Sequence, residues 1–138
     1  MKREEINASI YKGKEGLKTI HSEMIREGTD ILMIGAKGVI FDELPFFMPH
    51  FEKERLKKKL KFVGLWDNKE VKNKLLKQPL FEGKSFPLGF DSDTVVNIFG
   101  NKVAIVLWKE KYPTAFMIDN KDVADSFRKW FKLIYERI

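Results

Sequence analysis

The sequence predicts a mixed α/β fold, a sheet flanked by helices, and three observations carry that prediction. An amphipathic stretch over residues 15–27 runs directly into a short apolar segment, Ile31-Leu32-Met33-Ile34. A Gly100-Asn101 pair joins two apolar segments of similar length. A strongly amphipathic stretch then closes the chain. Helix-like and strand-like periods alternate in the first half, and strands cluster in the second.

Residues 6–11 alternate loosely and read as a first strand, interrupted by Gly13. Over 15–27, Leu17, Ile20, Met24 and Ile25 recur at helical spacing, and Gly28 stands where a C-cap glycine belongs. The run 31–34, closed by Gly35, has the form of a buried parallel strand. Strand, helix and strand in this order require a right-handed crossover. Gly35-Ala36-Lys37-Gly38 then becomes a loop at a strand's carboxyl end, where open α/β sheets often hold ligands.

Residues 39–47 read VIFDELPFF, and Pro45 and Pro49 forbid one long helix. A short helix is expected, then a break near Met48-Pro49, then a helix over about 51–58. Residues 61–66 form a third strand centred on Phe62 and Val63. Val71, Leu75 and Leu76 suggest a short helix over 69–78, stopped by Pro79. The Gly- and Pro-rich stretch 80–93 reads as loop, with an edge strand near 85–87. Residues 94–99 and 102–108 flank Gly100-Asn101 as a hairpin. A further strand covers 115–118. Asn120 caps a last helix over 121–135, whose stripe is Val123, Ala124, Phe127, Trp130, Phe131 and Ile134.

A chain of 138 residues suits one domain spanning 1–138. Apolar residues at 43% and charged residues at 33% place it among globular chains rather than disordered ones. The absence of cysteine excludes a disulfide scaffold, a thiolate nucleophile and Cys-based metal sites, and agrees with a reducing cytosol. MKREEINAS carries no apolar run behind its charges, so no signal peptide is expected. No segment approaches the roughly 20 apolar residues of a membrane helix. A cytoplasmic protein without membrane contact is the expectation. The net charge of +6 permits attraction to nucleic acid without establishing it.

The two histidines, His21 and His50, sit in no H-E-x-x-H pattern, and no metal site is expected from them. Gly35-Ala36-Lys37-Gly38 lacks P-loop and dinucleotide spacing. Its backbone N–H groups suit either an anion or ligand contact, or simply a tight turn. Asp91 and Asp93 form a D-x-D pair suited to a magnesium ion or to a solvated loop. Asp42 and Glu43 lack an identifiable catalytic partner. Arg55, Lys57, Lys58 and Lys59, with Lys53 and Lys61, form the strongest basic cluster. It fits phosphate contact or a solvated helix face. Phe41, Phe46, Phe47 and Phe51 surround two prolines and fit a core, a subunit interface or both. Trp66 and Trp108, at strand ends, fit core packing or, near the sheet edge, the lining of a pocket.

Five segments resemble, in order, the effector domain of TrmB-type archaeal transcriptional regulators. They are YKGKEGLKTI (11–20), DILMIGAKG (30–38), the stretch from Pro45 through Pro49-His50-Phe51 to Arg55, VVNIFGNKVAIVLWKE (95–110) and IDNKDVADSFRKWFKLIYE (118–136). The resemblance implies a three-layer phospholipase D-like fold with a mixed, centrally parallel sheet. In that family the domain follows a winged helix-turn-helix domain, often with a dimerising helix between, and some members respond to sugars. Within these 138 residues, neither a winged helix-turn-helix domain before Tyr11 nor a sugar-binding domain after the last helix is expected. Catalytic phospholipase D enzymes carry a histidine and lysine at H-x-K spacing with an aspartate beyond. Here His21 is followed by Ser22-Glu23 and His50 by Phe51-Glu52, so neither motif exists.

The resemblance therefore implies a non-catalytic regulatory domain for dimerisation, effector sensing or both. It would use residues 35–38 for a small-molecule effector and residues 41–51 for a homodimer. A DNA-binding domain would be fused or act in trans, and no cofactor is expected. The alternative is a free-standing protein-interaction module with no small ligand.

Overall fold

The computed structural model describes residues 6–67, 71, 75–87, 90–108 and 112–138. Its strands are β1 (Asn7–Lys12), β2 (Ile31–Ala36), β3 (Phe62–Trp66), β4 (Phe81–Ser85), β5 (Thr94–Phe99), β6 (Lys102–Leu107) and β7 (Thr114–Asp119). Its helices are α1 (Gly13–Glu27), α2 (Val39–Glu43), α3 (Met48–Lys57) and α4 (Lys121–Arg137). The seven strands make one sheet in the order β1-β7-β6-β5-β2-β3-β4.

β2, β3 and β4 pair in parallel, and every other neighbouring pair is antiparallel. The mixed sheet is as expected, but its parallel pairing fills one half rather than the centre. The middle strand, β5, is antiparallel to both neighbours. β1 and β2 run in the same direction, yet β7, β6 and β5 separate them. The burial patterns agree with those places. β1 is mostly exposed at an edge, whereas β2 alternates buried and half-buried residues inside the sheet.

Alternation along the strands divides the core in two. Ile31, Met33, Phe99, Ala104, Val106 and Met117 pack beneath Leu17, Ile20 and Met24 of α1 and Met48 and Phe51 of α3. On the other face Leu65, Ile98 and Val103 pack beneath Ala124 and Phe131 of α4. Each such large side chain contributes about 1.5–3 kcal/mol through burial. The caps follow sequence logic. Gly28 adopts the left-handed conformation at φ 66°, and its N–H donates to the Met24 carbonyl at 3.2 Å. The Asn120 side chain accepts from the Val123 N–H at 3.0 Å.

Three expectations shift. Pro49 begins α3 instead of breaking it, because its missing N–H is harmless in a first turn; the break falls over residues 44–47. The edge strand lies at Phe81–Ser85 rather than near 85–87. Glycines suggested loop there, but Gly83 and Gly64 leave the space that the fully buried Trp66 indole fills. Trp66 is thus core, not pocket wall. Of the helix expected over 69–78, Val71 and Leu75 are helical, while 68–70 and 72–74 lie outside the described residues.

Candidate functional site

The carboxyl end of β2 is irregular for a reason written into Gly35. The register between β2 and β3 slips between Ile34 and Ala36, a bulge. Gly35 sits there at φ +81°, and a Cβ on it would lie 2.8 Å from the Thr94 carbonyl oxygen and 3.0 Å from Ser92 Oγ. Glycine therefore lets the chain before β5 approach this closely. The bulge leaves Ala36 buried on the α1 side of the sheet. The Lys37 ammonium pairs with Asp67, just past β3, and Asp67 Oδ2 also accepts from the Ser92 N–H at 3.3 Å. Gly38, at φ 73°, leads into α2. Since α2 has only five residues, no extended helix dipole faces this turn.

Beneath the turn lies a cavity of about 50 Å³. Ala36, Lys37, Gly38 and Phe41 form one side, Met33, Asn97 and Trp108 the sheet side, and Leu17 and His21 the α1 side. Two polar groups stand out in this apolar wall. His21 is only 7% exposed. Its Nδ1 lies 2.8 Å from the Leu17 carbonyl, so Nδ1–H is the donor and Nε2 keeps an unprotonated lone pair. Burial pushes its pKa down to about 4, against the smaller opposing effect of that hydrogen bond. The ring meets Phe51 edge-on, with centroids 4.9 Å apart. Asn97, on β5, is 6% exposed and stands on the sheet side of the cavity.

A wider, shallower groove of about 330 Å³ lies on the other side of Gly35, lined by Asp67, Phe86, Phe90, Asp91 and Ser92 among others. Asp91 borders it. Asp93 does not, and its carbonyl instead accepts from the Trp108 N–H at 2.9 Å. The D-x-D pair is thus divided. Among the described residues, no three His, Cys, Asp or Glu side chains gather as a metal site.

The predicted aromatic cluster also divides. Phe51 is core, Phe41 and Phe47 pack against it, and Phe46 is 88% exposed at the α2–α3 turn. The basic cluster requires a correction at Arg55, which is fully buried and faces no phosphate. Its guanidinium donates to Glu52 Oε2 at 2.6 Å and to the Leu60 and Pro79 carbonyls at 2.7 Å, stacked over Phe62 and Phe81. A helical repeat that alternates lysine and leucine gave no sign of this. Lys57, Lys58 and Lys59 remain exposed, and the Lys58 ammonium donates to the Ile25 carbonyl at 2.9 Å. His50 is exposed on α3 and His21 is buried on α1, so the two make no joint site.

Sequence reading missed Asn97 as a cavity residue. It also missed an apolar surface beside α4, where Ile10 and its cross-strand neighbour Phe116 are exposed along with Trp130. A polar residue amid Val95, Val96, Ile98 and Phe99 was the available signal for Asn97.

No family model matches this chain, and no curated protein matches it either. Solved structures do. NucT from Helicobacter pylori superposes with a TM-score of 0.65 at 11% identity, covering 96% of this chain and 97% of that one. Nuc from Salmonella typhimurium, a phospholipase D family member, gives 0.63 at 14%, covering 93% of each. TrmBL2, an archaeal chromatin protein whose structure shows a novel mode of DNA binding, gives 0.60 at 17%. That match covers 94% of this chain and 52% of TrmBL2, so the chain spans about half the length of that neighbour. Its structural neighbours thus include both TrmBL2 and phospholipase D family members, and its fold is the phospholipase D-like α/β fold that the sequence resemblance implied.

Proposed function

We propose that this chain is a non-catalytic regulatory domain of a TrmB-type transcriptional regulator, working by effector sensing and homodimerisation in the cytoplasm. The observation that carries the reading is the cavity beneath Gly35-Ala36-Lys37-Gly38, with two polar side chains, Asn97 and a neutral His21, on its otherwise apolar wall. A ligand that pairs with these groups in one conformation, and less well in another, shifts the population toward the first. The short α2 forms part of the cavity wall and leads straight to the exposed Phe46, so ligand contact and a surface anchor are adjacent. A winged helix-turn-helix domain, fused or in trans, makes the DNA contact in this reading. Fold likeness to TrmBL2 supports it.

The non-catalytic part rests on the two histidines. Neither is followed by lysine at H-x-K spacing, and His21 faces an apolar wall.

A second reading, a protein-interaction module without ligand, is favoured by the exposed Ile10, Phe116 and Trp130. Sedimentation of the full chain separates the two surfaces. The regulatory reading expects a dimer that Phe46→Asp dissociates with little change in the thermal transition. Dissociation by Trp130→Lys instead favours the interaction module. A wild-type monomer at every concentration overturns dimerisation.

A further inference from the structure

We infer that the cavity under Gly35-Ala36-Lys37-Gly38 takes a small, uncharged, mainly apolar molecule that donates one hydrogen bond to His21 Nε2 and pairs with the Asn97 amide. The inference rests on the reading of this cavity as an effector site, and it names the chemistry of the effector.

Charge is decided first. Among the described residues, Lys37 is the only ionic side chain on the cavity wall, and Asp67 holds its ammonium. His21 is neutral, with its Nδ1–H directed to the Leu17 carbonyl. An anion or a cation would therefore enter an apolar chamber with no free counter-charge, a burial that proteins avoid. The short α2 offers no compensating dipole.

Hydrogen bonding is decided next. His21 Nε2 can only accept, so the ligand must donate there. The Asn97 amide both donates and accepts, so a hydroxyl or a carboxamide satisfies it. Met33, Met48, Phe41, Val106 and Trp108 then require hydrocarbon. Size comes last. The chamber of about 50 Å³ is a few times the roughly 15 Å³ that one water occupies on this measure. It accepts the end of a short alcohol or primary amide. A free sugar, with a hydroxyl on nearly every carbon, would leave most of them unpaired against hydrocarbon.

Methionine methyl NMR on the full chain tests this. Met33 and Met48 line the cavity, while Met117 lies in the same core away from it and serves as an internal control. The probes are 1-propanol, propionate and propylammonium at equal concentration. The expected result is a saturable shift of Met33 and Met48 with 1-propanol alone, Met117 being unmoved. Asn97→Val and His21→Leu should each weaken that binding roughly threefold to tenfold, the loss of one neutral hydrogen bond. Either variant suffices if the other fails to fold. Equal shifts with propionate or propylammonium overturn the inference, as does no shift with any probe, or a Met117 shift as large as that of Met33. Sedimentation in the presence of 1-propanol keeps the two claims apart. Cavity binding without change in association leaves the ligand chemistry standing and removes the regulatory reading. Binding of a charged probe that does change association does the reverse.

Discussion

The two faces of one sheet are built differently. On one face, α1, α2 and α3 meet at short, irregular junctions. On the other, among the described residues, the long helix α4 is the helix that lies across the strands. Several elements converging on one face leave a cavity and bury polar groups, as at His21 and Asn97, and charged ones, as at Glu52 and Arg55. A single helix cannot span seven strands, so the outer strands on its side keep apolar residues in solvent, as at Ile10 and Phe116. Helix count per face thus separates a region suited to ligands from one suited to surfaces.

The largest effect expected from this contrast is at Arg55. Burial lowers its pKa and raises that of Glu52, in each case against the attraction between them, so the pair is desolvated more than it is repaid. Arg55→Met strands a buried carboxylate and should cost about 3–5 kcal/mol in urea unfolding. The double variant Arg55→Met with Glu52→Leu should recover most of that loss. If the single change is harmless, the buried-charge account of this face fails. Lys57→Ala, on the same helix but exposed, should stay within about 0.5 kcal/mol.

His21 gives the next effect, and it depends on pH. Its folded pKa of about 4 lies below the unfolded value near 6.5. Between those values the unfolded chain binds the proton and the folded chain does not. The stabilising contribution is therefore complete above about pH 6.5, declines as pH falls toward 4, and changes no further below that. The total is on the order of 3 kcal/mol. Subtracting the pH profile of His21→Leu from that of wild type should isolate this slope. Parallel profiles would mean that His21 is solvated in the folded state.

These two cases also mark what the sequence discloses. The hairpin at Gly100-Asn101, the Asn120 cap and the helix ended by Gly28 depend on neighbouring residues, and all were legible. Strand order was not, because β1 pairs with β7 more than a hundred residues away. The turn at residues 35–38 was legible as a turn from its place after an apolar strand. Its partners Asn97 and Asp67 come from β5 and the end of β3, and no local pattern announces them. Arg55 looked like a member of a lysine run because its burial is set by Phe62 on the next strand and by Phe81 and the Pro79 carbonyl more than twenty residues on.

Adjacent phenylalanines supply a smaller and sharper comparison. Sequence reading places Phe46 and Phe47 in one cluster that fits a core, an interface or both. Phe47 packs against the core and its ring lies 6.5 Å from that of His21. Phe47→Asp should now lower the thermal midpoint clearly, by burying a carboxylate beside apolar rings. Phe46→Asp should leave the midpoint almost unmoved. Equal midpoints for the two variants would restore the symmetrical reading.

The smallest stability effect is expected on the α4 face. Trp130 is exposed, and its ring stands 5.0 Å from that of Phe127. Trp130→Lys keeps the helix, since lysine is a good helix former, and removes an apolar ring that water already reaches. Stability should change by less than about 0.5 kcal/mol, because exposed positions rarely contribute more. Contiguous apolar surface of this kind nevertheless governs association rather than folding. Light scattering at rising concentration is the sensitive readout. The regulatory reading expects both scattering and urea midpoint unchanged, whereas reduced scattering with an unchanged midpoint would favour the interaction module. A midpoint that falls with the scattering would place Trp130 in the core of α4 packing, and the two faces would then differ less than their helix counts imply.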